Sequence, residues 1–150
     1  MKMFEAVYEM GKRAAEMDES KMIAEIFEDE TLQAQIVDLN QNQLYEQGLQ
    51  ADGTPTGEYA PITISFYKPL AAAEGRDGRS DHITGKDTGE TYKSMKVANE
   101  DKAIRIEAED RNDFFKRIPE GLGLTGESIN QIIPEVLETL IEKVREKIGI

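Results

Sequence analysis

The chain has 150 residues, no cysteine, a net charge of −12 and 32% charged residues, which predicts one domain with a moderate core and a heavily solvated surface. The missing cysteines exclude disulfides and cysteine-ligated metals, and the acidic balance argues against a general nucleic-acid-binding surface. No apolar run approaches the ~20 residues that a membrane span needs, and the N-terminus lacks a secretory apolar core. We expect a core over residues 29–150, with residues 1–28 as a candidate helical N-terminal extension.

Three amphipathic helices are predicted in the first third of the chain. Apolar residues recur at helical spacing over residues 3–17. Asp18 or Ser20 can cap a second helix, and Asp29 can cap a third one that Gly48 would end. The pattern leaves open whether the second and third segments form one helix or two helices with a break near Asp29.

The middle of the chain combines turn formers, a short apolar alternation and a polar stretch. Residues 49–58 are rich in Asp, Gly and Pro and predict a turn. The alternation over residues 59–67 favours a strand, although a short helix starting at Pro61 or Thr63 also fits. The alternating apolar residues are Ile62, Ile64 and Phe66. Residues 68–83 show no periodicity and predict a long mobile loop, which is uncommon in compact domains unless it is functional or disordered.

The last third predicts a hairpin and a long closing helix. Two strands, at residues 96–98 and 103–108, lie on either side of a four-residue turn at 99–102. Thr125 is a good N-cap for the closing helix. Pro134 predicts either a kink in that helix or a short turn before a new helix that carries the proline in its first turn.

These elements predict an α+β fold. A small antiparallel sheet would be flanked by N-terminal and C-terminal amphipathic helices, at residues 30–47 and 126–148. The long mobile loop at residues 68–83 would lie on the surface.

Asp87-Thr88-Gly89 matches the core of the aspartic-protease motif. That chemistry needs two aspartates that share a proton, and the polar flanks Lys86 and Glu90 differ from the usual apolar strand and the small residue after the glycine. The tripeptide is more typical of a structural turn, in which Gly89 supplies an unusual backbone conformation and Asp87 or Thr88 caps a short helix. No ligand spacing is present, so we expect no catalytic residue, no cofactor and no metal site.

The order of features along the chain resembles the tailed-phage virion morphogenesis, or tail-completion, family. That family has an aromatic helix end, a G-x-x-W-x-P-L…T segment, an L-x-x-T-G-x-L-x-x-S turn and R-P-F-L-G-L-S before a last helix. The corresponding segments here are residues 43–48, 59–63, 83–95 and 118–125. This chain departs from the family pattern at Tyr59, where tryptophan is usual, at Tyr92, near the usual leucine, and at residues 116–120.

The resemblance implies a non-enzymatic virion protein that completes the tail and joins it to the head connector. It would form a homo-oligomeric ring in contact with neighbouring phage connector or tail proteins, and it would be assembled in the host cytoplasm. DNA would pass through the channel without specific binding, and no membrane would be involved. We take the basic residues of the polar stretch as candidate partner contacts: Arg76, Arg79, His82 and Lys86. The alternative is a small acidic binding or regulatory protein that dimerises through its C-terminal helix.

Overall fold

The computed structural model describes the backbone of residues 2–100 and 103–150, and the side chains of residues 5–100 and 103–150. The fold is α+β, with N-terminal and C-terminal helices and a two-stranded antiparallel sheet, as predicted. The helices are α1 Lys2–Ala15, α2 Glu19–Ile26, α3 Glu30–Asn42, α4 Lys68–Ala73, α5 Glu90–Lys93, α6 Phe114–Arg117 and α7 Gly126–Ile148. The strands are β1 Lys96–Glu100 and β2 Ala103–Glu107, and π-helical segments cover Gln43–Gln47 and Thr63–Tyr67.

Local capping determines where the N-terminal helices begin and end. The Asp18 side chain accepts a hydrogen bond from the Lys21 backbone N–H at 3.1 Å and begins α2. The Asp29 side chain does the same for Leu32 at 2.8 Å and begins α3, so the two helices are separate. A π-helical turn extends α3, and Gly48 ends it with a left-handed φ of 64°.

Residues 59–67 do not form the strand that their alternation favoured. Residues 61–73 are continuously helical, so the other reading, a short helix from Pro61, is the correct one. A strand at residues 59–67 would need a partner strand for its backbone hydrogen bonds, but β1 and β2, the strands of the described sheet, pair with each other. A helix satisfies these hydrogen bonds internally. The face of this helix that carries Lys68 and Ala71 is buried. We call this element helix 61–73.

The predicted long loop is therefore shorter than expected. Its first six residues are α4, so the prediction of irregular structure over residues 68–83 is wrong for Lys68–Ala73. Residues 76–83 have no regular secondary structure. They run close under helix 61–73, because a Cβ atom added to Gly78 would lie only 2.6 Å from the Ala72 Cβ.

The hairpin pairs Lys96 with Glu107 and Glu100 with Ala103. Both predicted strands are present, but β1 continues to Glu100 and takes up half of the predicted turn. Residues 101 and 102, the other half, lie outside the described residues. Val97 and Ile106 face each other across the hairpin and pack on the helical core.

The core consists of two apolar clusters. The first joins α2, α3 and α7 through Ile26, Leu32, Ile36 and Ile132. The second lies between the end of α3, the α5 region and α6, and contains Leu44, Tyr92, Met95 and Ile118. The two clusters share α3, which therefore connects the N- and C-terminal helices to the polar stretch.

The closing helix α7 is continuous, with Pro134 inside it, so a separate turn before a new helix is not what forms. Thr125 caps it, as predicted, by accepting a hydrogen bond from the Ser128 backbone N–H at 3.2 Å. The buried side chain of Gln43 also accepts from the Thr125 backbone N–H, at 2.8 Å. The start of α7 is thereby attached to the end of α3.

Candidate functional site

The polar residues around helix 61–73 converge on Asp77, whose side chain is only 4% exposed. One carboxylate oxygen accepts from the Lys68 ammonium at 3.3 Å and from the Thr84 hydroxyl at 3.1 Å. The other accepts from the Tyr45 hydroxyl at 3.0 Å. The Asp77 backbone N–H donates to the Asp87 carbonyl at 2.8 Å. We call Asp77, Lys68, Thr84 and Tyr45 the Asp77 network, and it joins helix 61–73, the end of α3 and the Asp87 turn.

Asp77 is not among the site residues that were predicted from the sequence. It lies in Gly75-Arg-Asp-Gly-Arg79, a string that is typical of an exposed turn. The Asp77-Gly78 pair indicates a turn, but it does not indicate that the carboxylate is buried. Its burial depends on Lys68 and Tyr45, which lie 9 and 32 residues away along the chain.

Arg76 and Arg79, the main predicted partner contacts, have partners within the chain. Each guanidinium bridges two carboxylates at 2.6–2.9 Å: Arg76 those of Glu74 and Asp87, and Arg79 those of Asp81 and Glu46. The hydrogen bonds from Arg79 lower the pKa of Asp81 to about 2. A role for these arginines in partner binding stays a prediction, and it would require them to exchange these ion pairs.

His82 and Lys86 also contact the end of α3. The His82 Nε2 lies 3.0 Å from the Leu44 carbonyl oxygen and 2.8 Å from that of Tyr45. Because a carbonyl oxygen only accepts, Nε2 carries a proton and donates to both. The Lys86 ammonium lies 4.8 Å from the centre of the Tyr45 ring and 5.6 Å from that of Tyr92. Both residues thus attach the polar stretch to α3.

The Asp87-Thr88-Gly89 turn begins α5. Gly89 occupies the N-cap position with a left-handed φ of 91°, and no side chain caps the helix. The expected capping by Asp87 is therefore wrong, because Asp87 pairs with Arg76. Thr88 lies one residue before the N-cap position, and its hydroxyl accepts at 3.3 Å from the N–H of Glu90, the first residue of α5.

Tyr92 is buried beside this turn and donates a hydrogen bond to the Thr84 carbonyl. Burial raises the pKa of the Tyr92 hydroxyl above its usual value, because the phenolate would lose its hydration. Burial, together with the hydrogen bond to Asp77, also raises the pKa of Tyr45. The folded state therefore holds both tyrosines in their neutral form.

This arrangement predicts a loss of stability at alkaline pH. A raised folded-state pKa contributes stability that is fully present below the unfolded pKa of about 10 and is lost as the pH rises above it. We expect Tyr92→Phe to unfold more easily at pH 7, by about 1 kcal/mol for the lost hydrogen bond, but to lose less further stability between pH 9 and 11. Urea unfolding across this pH range measures both effects. Tyr8→Phe, at a 72% exposed position, is the control, and a wild-type pH slope in Tyr92→Phe would contradict the prediction.

Helix 61–73 presents an uncharged apolar surface to solvent. Five of its large apolar side chains are 42–59% exposed: Ile62, Ile64, Phe66, Tyr67 and Leu70. Its one charged residue, Lys68, is 8% exposed and bonds to Asp77. No charged side chain therefore reaches solvent between Glu58 and Glu74, in a chain of net charge −12.

A second apolar surface runs along α7. Four residues at four-residue spacing, which we call the α7 stripe, are 40–49% exposed: Ile129, Ile133, Leu137 and Ile141. The adjacent positions Ile132, Val136 and Leu140 pack on the core. An apolar cavity of about 350 Å³ continues the stripe at its N-terminal end, because Ile129 lines both. The wide apolar face of α7 is thus half covered and half open.

Among the described residues, two further features are absent, a metal-binding cluster and a membrane-spanning helix. No group of three histidine, aspartate or glutamate side chains there could hold a metal ion. Among the same residues, no helix combines the length and apolarity required to cross a membrane. The two apolar surfaces are the candidate functional site, because each exposes several large apolar side chains close together in the sequence.

Comparison of the chain with models of protein families, with curated proteins and with solved structures finds no match. The resemblance to the tail-completion family therefore depends on the order of residues and motifs alone. The function that it implies is a proposal, to be supported by the geometry of the two apolar surfaces.

Proposed function

We propose that the protein is a virion structural protein that completes the tail of a tailed phage and joins it to the head connector. It acts by protein–protein contact, in a ring of copies around the DNA channel, and performs no catalysis. The observation that carries the proposal is the uncharged apolar surface of helix 61–73. The order of motifs supplies the phage context.

Helix 61–73 supports contact with another protein because five large apolar side chains are exposed within the short segment from Ile62 to Leu70. Single exposed hydrophobic residues are ordinary, whereas a contiguous apolar patch marks an interaction site. The Lys68–Asp77 bond and the close packing of Ala72 on Gly78 attach the opposite side of the helix to the body. The exposed side chains are therefore presented from a fixed base.

The charge of the chain fits the channel role. Nucleic-acid binding requires cations that neutralise phosphates, and a net charge of −12 disfavours such contacts. Arg76 and Arg79 are each paired with two carboxylates, which reduces their attraction for DNA. A channel lined by a protein with this charge would let DNA pass without binding it.

Replacement of Phe66 and Tyr67 by serine tests the proposal in particle assembly. We expect heads and tails to accumulate separately, because the contact surface loses its two aromatic side chains. A deletion of residues 72–82 would be less informative, because it also removes the buried Asp77. The matched control is Val7→Ser with Tyr8→Ser, at 61% and 72% exposed positions of α1. Normal numbers of joined particles with the Phe66/Tyr67 variant would rule out this helix as the joining surface.

The α7 stripe favours a second candidate, a small acidic binding or regulatory protein that dimerises through its C-terminal helix. Two copies of a stripe at four-residue spacing could pack face to face. Removal of α7 is a poor test, because Ile132 belongs to the core. Leu137→Ser is sharper, and a wild-type dimer that this change converts to a monomer, while Phe66→Ser stays dimeric, would favour this candidate.

A further inference from the structure

We propose that copies of this chain associate head to tail, with helix 61–73 of one copy packed along the α7 stripe of the next. The inference rests on the proposed function, since it names the contact that would build the ring. Each of the two apolar surfaces is covered by another copy of the same chain. The grounds are matching lengths, matching charge and the separation of the two surfaces in the fold.

The two surfaces have the same length. Helix 61–73 has thirteen residues and is about 20 Å long at 1.5 Å per residue. The stripe from Ile129 to Ile141 also covers thirteen residues and is about 20 Å long by the same rise. Helix 61–73 has no exposed charge between its ends. In α7 the exposed Glu135 and Glu138 fall between Ile129 and Ile141 but not at the four stripe positions, so the apolar side chains of the helix can lie along the stripe itself.

The charges at the ends of the two surfaces are complementary. Glu58 lies just before helix 61–73, and Arg145 lies one step of four residues beyond Ile141 in line with the stripe. Both side chains are exposed, and neither forms an ion pair with another described residue. An antiparallel arrangement brings Glu58 of one copy to Arg145 of the next. It also brings Leu70 towards the cavity beside Ile129.

Charge also disfavours other occupants. Two chains of net charge −12 repel each other, which favours contact through surfaces whose central side chains are uncharged. A strongly basic partner would find no carboxylate within helix 61–73. An anionic lipid surface attracts helices that are rich in Lys and Arg, and here Lys68 is buried against Asp77.

The two surfaces lie in separate parts of the fold. Among the described residues, α7 packs mainly on α1, α2 and α3, and helix 61–73 makes no comparable contact with it. A contact between two different surfaces is heterologous, and it continues from copy to copy until a ring closes. A face-to-face contact of either surface with itself would instead stop at a dimer.

The test uses two full-length variants, Phe66→Asp and Leu137→Asp, in sedimentation experiments. Each should weaken self-association roughly 10- to 100-fold, because a charge replaces an apolar side chain in the contact. Mixing the two should restore a single 1:1 complex, since the first variant keeps an intact stripe and the second keeps an intact helix. This restoration also shows that both variants are folded. Val7→Asp, at an exposed position of α1, is the control and should associate like the wild type.

Three outcomes would overturn the inference. These are a monomeric wild type, loss of association in only one of the two variants, and variants that remain monomeric on mixing although circular dichroism shows both folded. The orientation is tested by Arg145→Glu, which should weaken association about two- to fivefold, and by its combination with Glu58→Arg, which should restore it. Absence of restoration would overturn the antiparallel arrangement.

The experiments can contradict the proposed function without contradicting the contact between copies, and the reverse. If the mixed variants restore the complex but Phe66→Asp still gives joined particles, the copies associate as inferred and the tail-completion role is wrong. If the wild type is monomeric but the Phe66/Tyr67 serine variant blocks joining, helix 61–73 contacts a different protein. In that case the inference is wrong and the function stands.

Discussion

The Asp77→Ala variant should lose about 3–5 kcal/mol of its free energy of unfolding, the cost of breaking a buried ion pair from one side. The side chains of Asp77 and Lys68 are 4% and 10% exposed, so the lysine ammonium would remain buried without its counter-charge. The hydroxyl groups of Tyr45 and Thr84 would lose an acceptor as well. Chemical denaturation followed by circular dichroism measures the loss.

Three further variants separate the causes. Asp77→Asn keeps the shape but removes the charge, so a loss close to that of alanine would identify the ion pair as the main contribution. The double variant Lys68→Met with Asp77→Leu removes both charges and should be more stable than Asp77→Ala. Asp81→Ala is the matched control, because this carboxylate is 60% exposed and should contribute much less to the free energy of unfolding. Equal losses in the free energy of unfolding for Asp77→Ala and Asp81→Ala would contradict a stabilising role for the buried Asp77–Lys68 ion pair.

The Asp77 network also connects stability with the proposed contact. Lys68 belongs to helix 61–73, and its bond to Asp77 attaches this helix to the segment that contacts the end of α3. Loss of the network should therefore release the helix before the α2–α3–α7 core unfolds. Phe66 and Tyr67 would then no longer be held in a fixed position, so Asp77→Ala should weaken association even under conditions where most of the helix content remains.

The elements that could be predicted from the sequence are those with local signals. Asp18, Asp29 and Thr125 cap helices by bonds to backbone groups three residues away, so the information lies within one turn. The hairpin is similar, because β1 and β2 are adjacent in the chain. The amphipathic helices predicted at residues 30–47 and 126–148 are likewise local patterns, and Ile36 and Ile132 of these helices lie in the core.

The candidate surfaces could not be predicted in this way. Ile62, Ile64 and Phe66 alternate like a half-buried strand, yet all three are exposed on a helix. Apolar periodicity indicates burial in general and does not say whether the cover is the same chain or another one. The same limit applies to α7, where Ile132 is covered by the core and Ile133 is left open. Burial of Asp77 depends on residues distant in sequence, which a local pattern does not reveal.

A second large loss of stability is expected on substitution of Gly48, which ends α3 next to the His82 ring. Gly48 has a left-handed φ of 64°, which costs a residue with a Cβ atom roughly 1–2 kcal/mol. A Cβ atom there would also lie 2.7 Å from the Cγ atom of the His82 ring. The ring would have to move away from the carbonyl oxygens of Leu44 and Tyr45, to which it donates. Gly48→Ala should therefore lose about 3 kcal/mol of its free energy of unfolding.

A double-mutant cycle separates the two costs. In a His82→Ala background the steric conflict is absent, so Gly48→Ala should cost only about 1 kcal/mol, the backbone contribution. The difference of about 2 kcal/mol is the coupling between the glycine and the histidine ring, measured by urea unfolding of the wild type, both single variants and the double variant. Gly53→Ala is the control for backbone strain, because Gly53 has a φ of 81° and nothing within 4 Å of its Cβ position. If Gly48→Ala cost the same in both backgrounds, His82 would not be packed against the end of α3. The polar stretch, and with it the base of helix 61–73, would then be attached to the end of α3 by the Asp77 network, Lys86 and Arg79 without a contribution from His82.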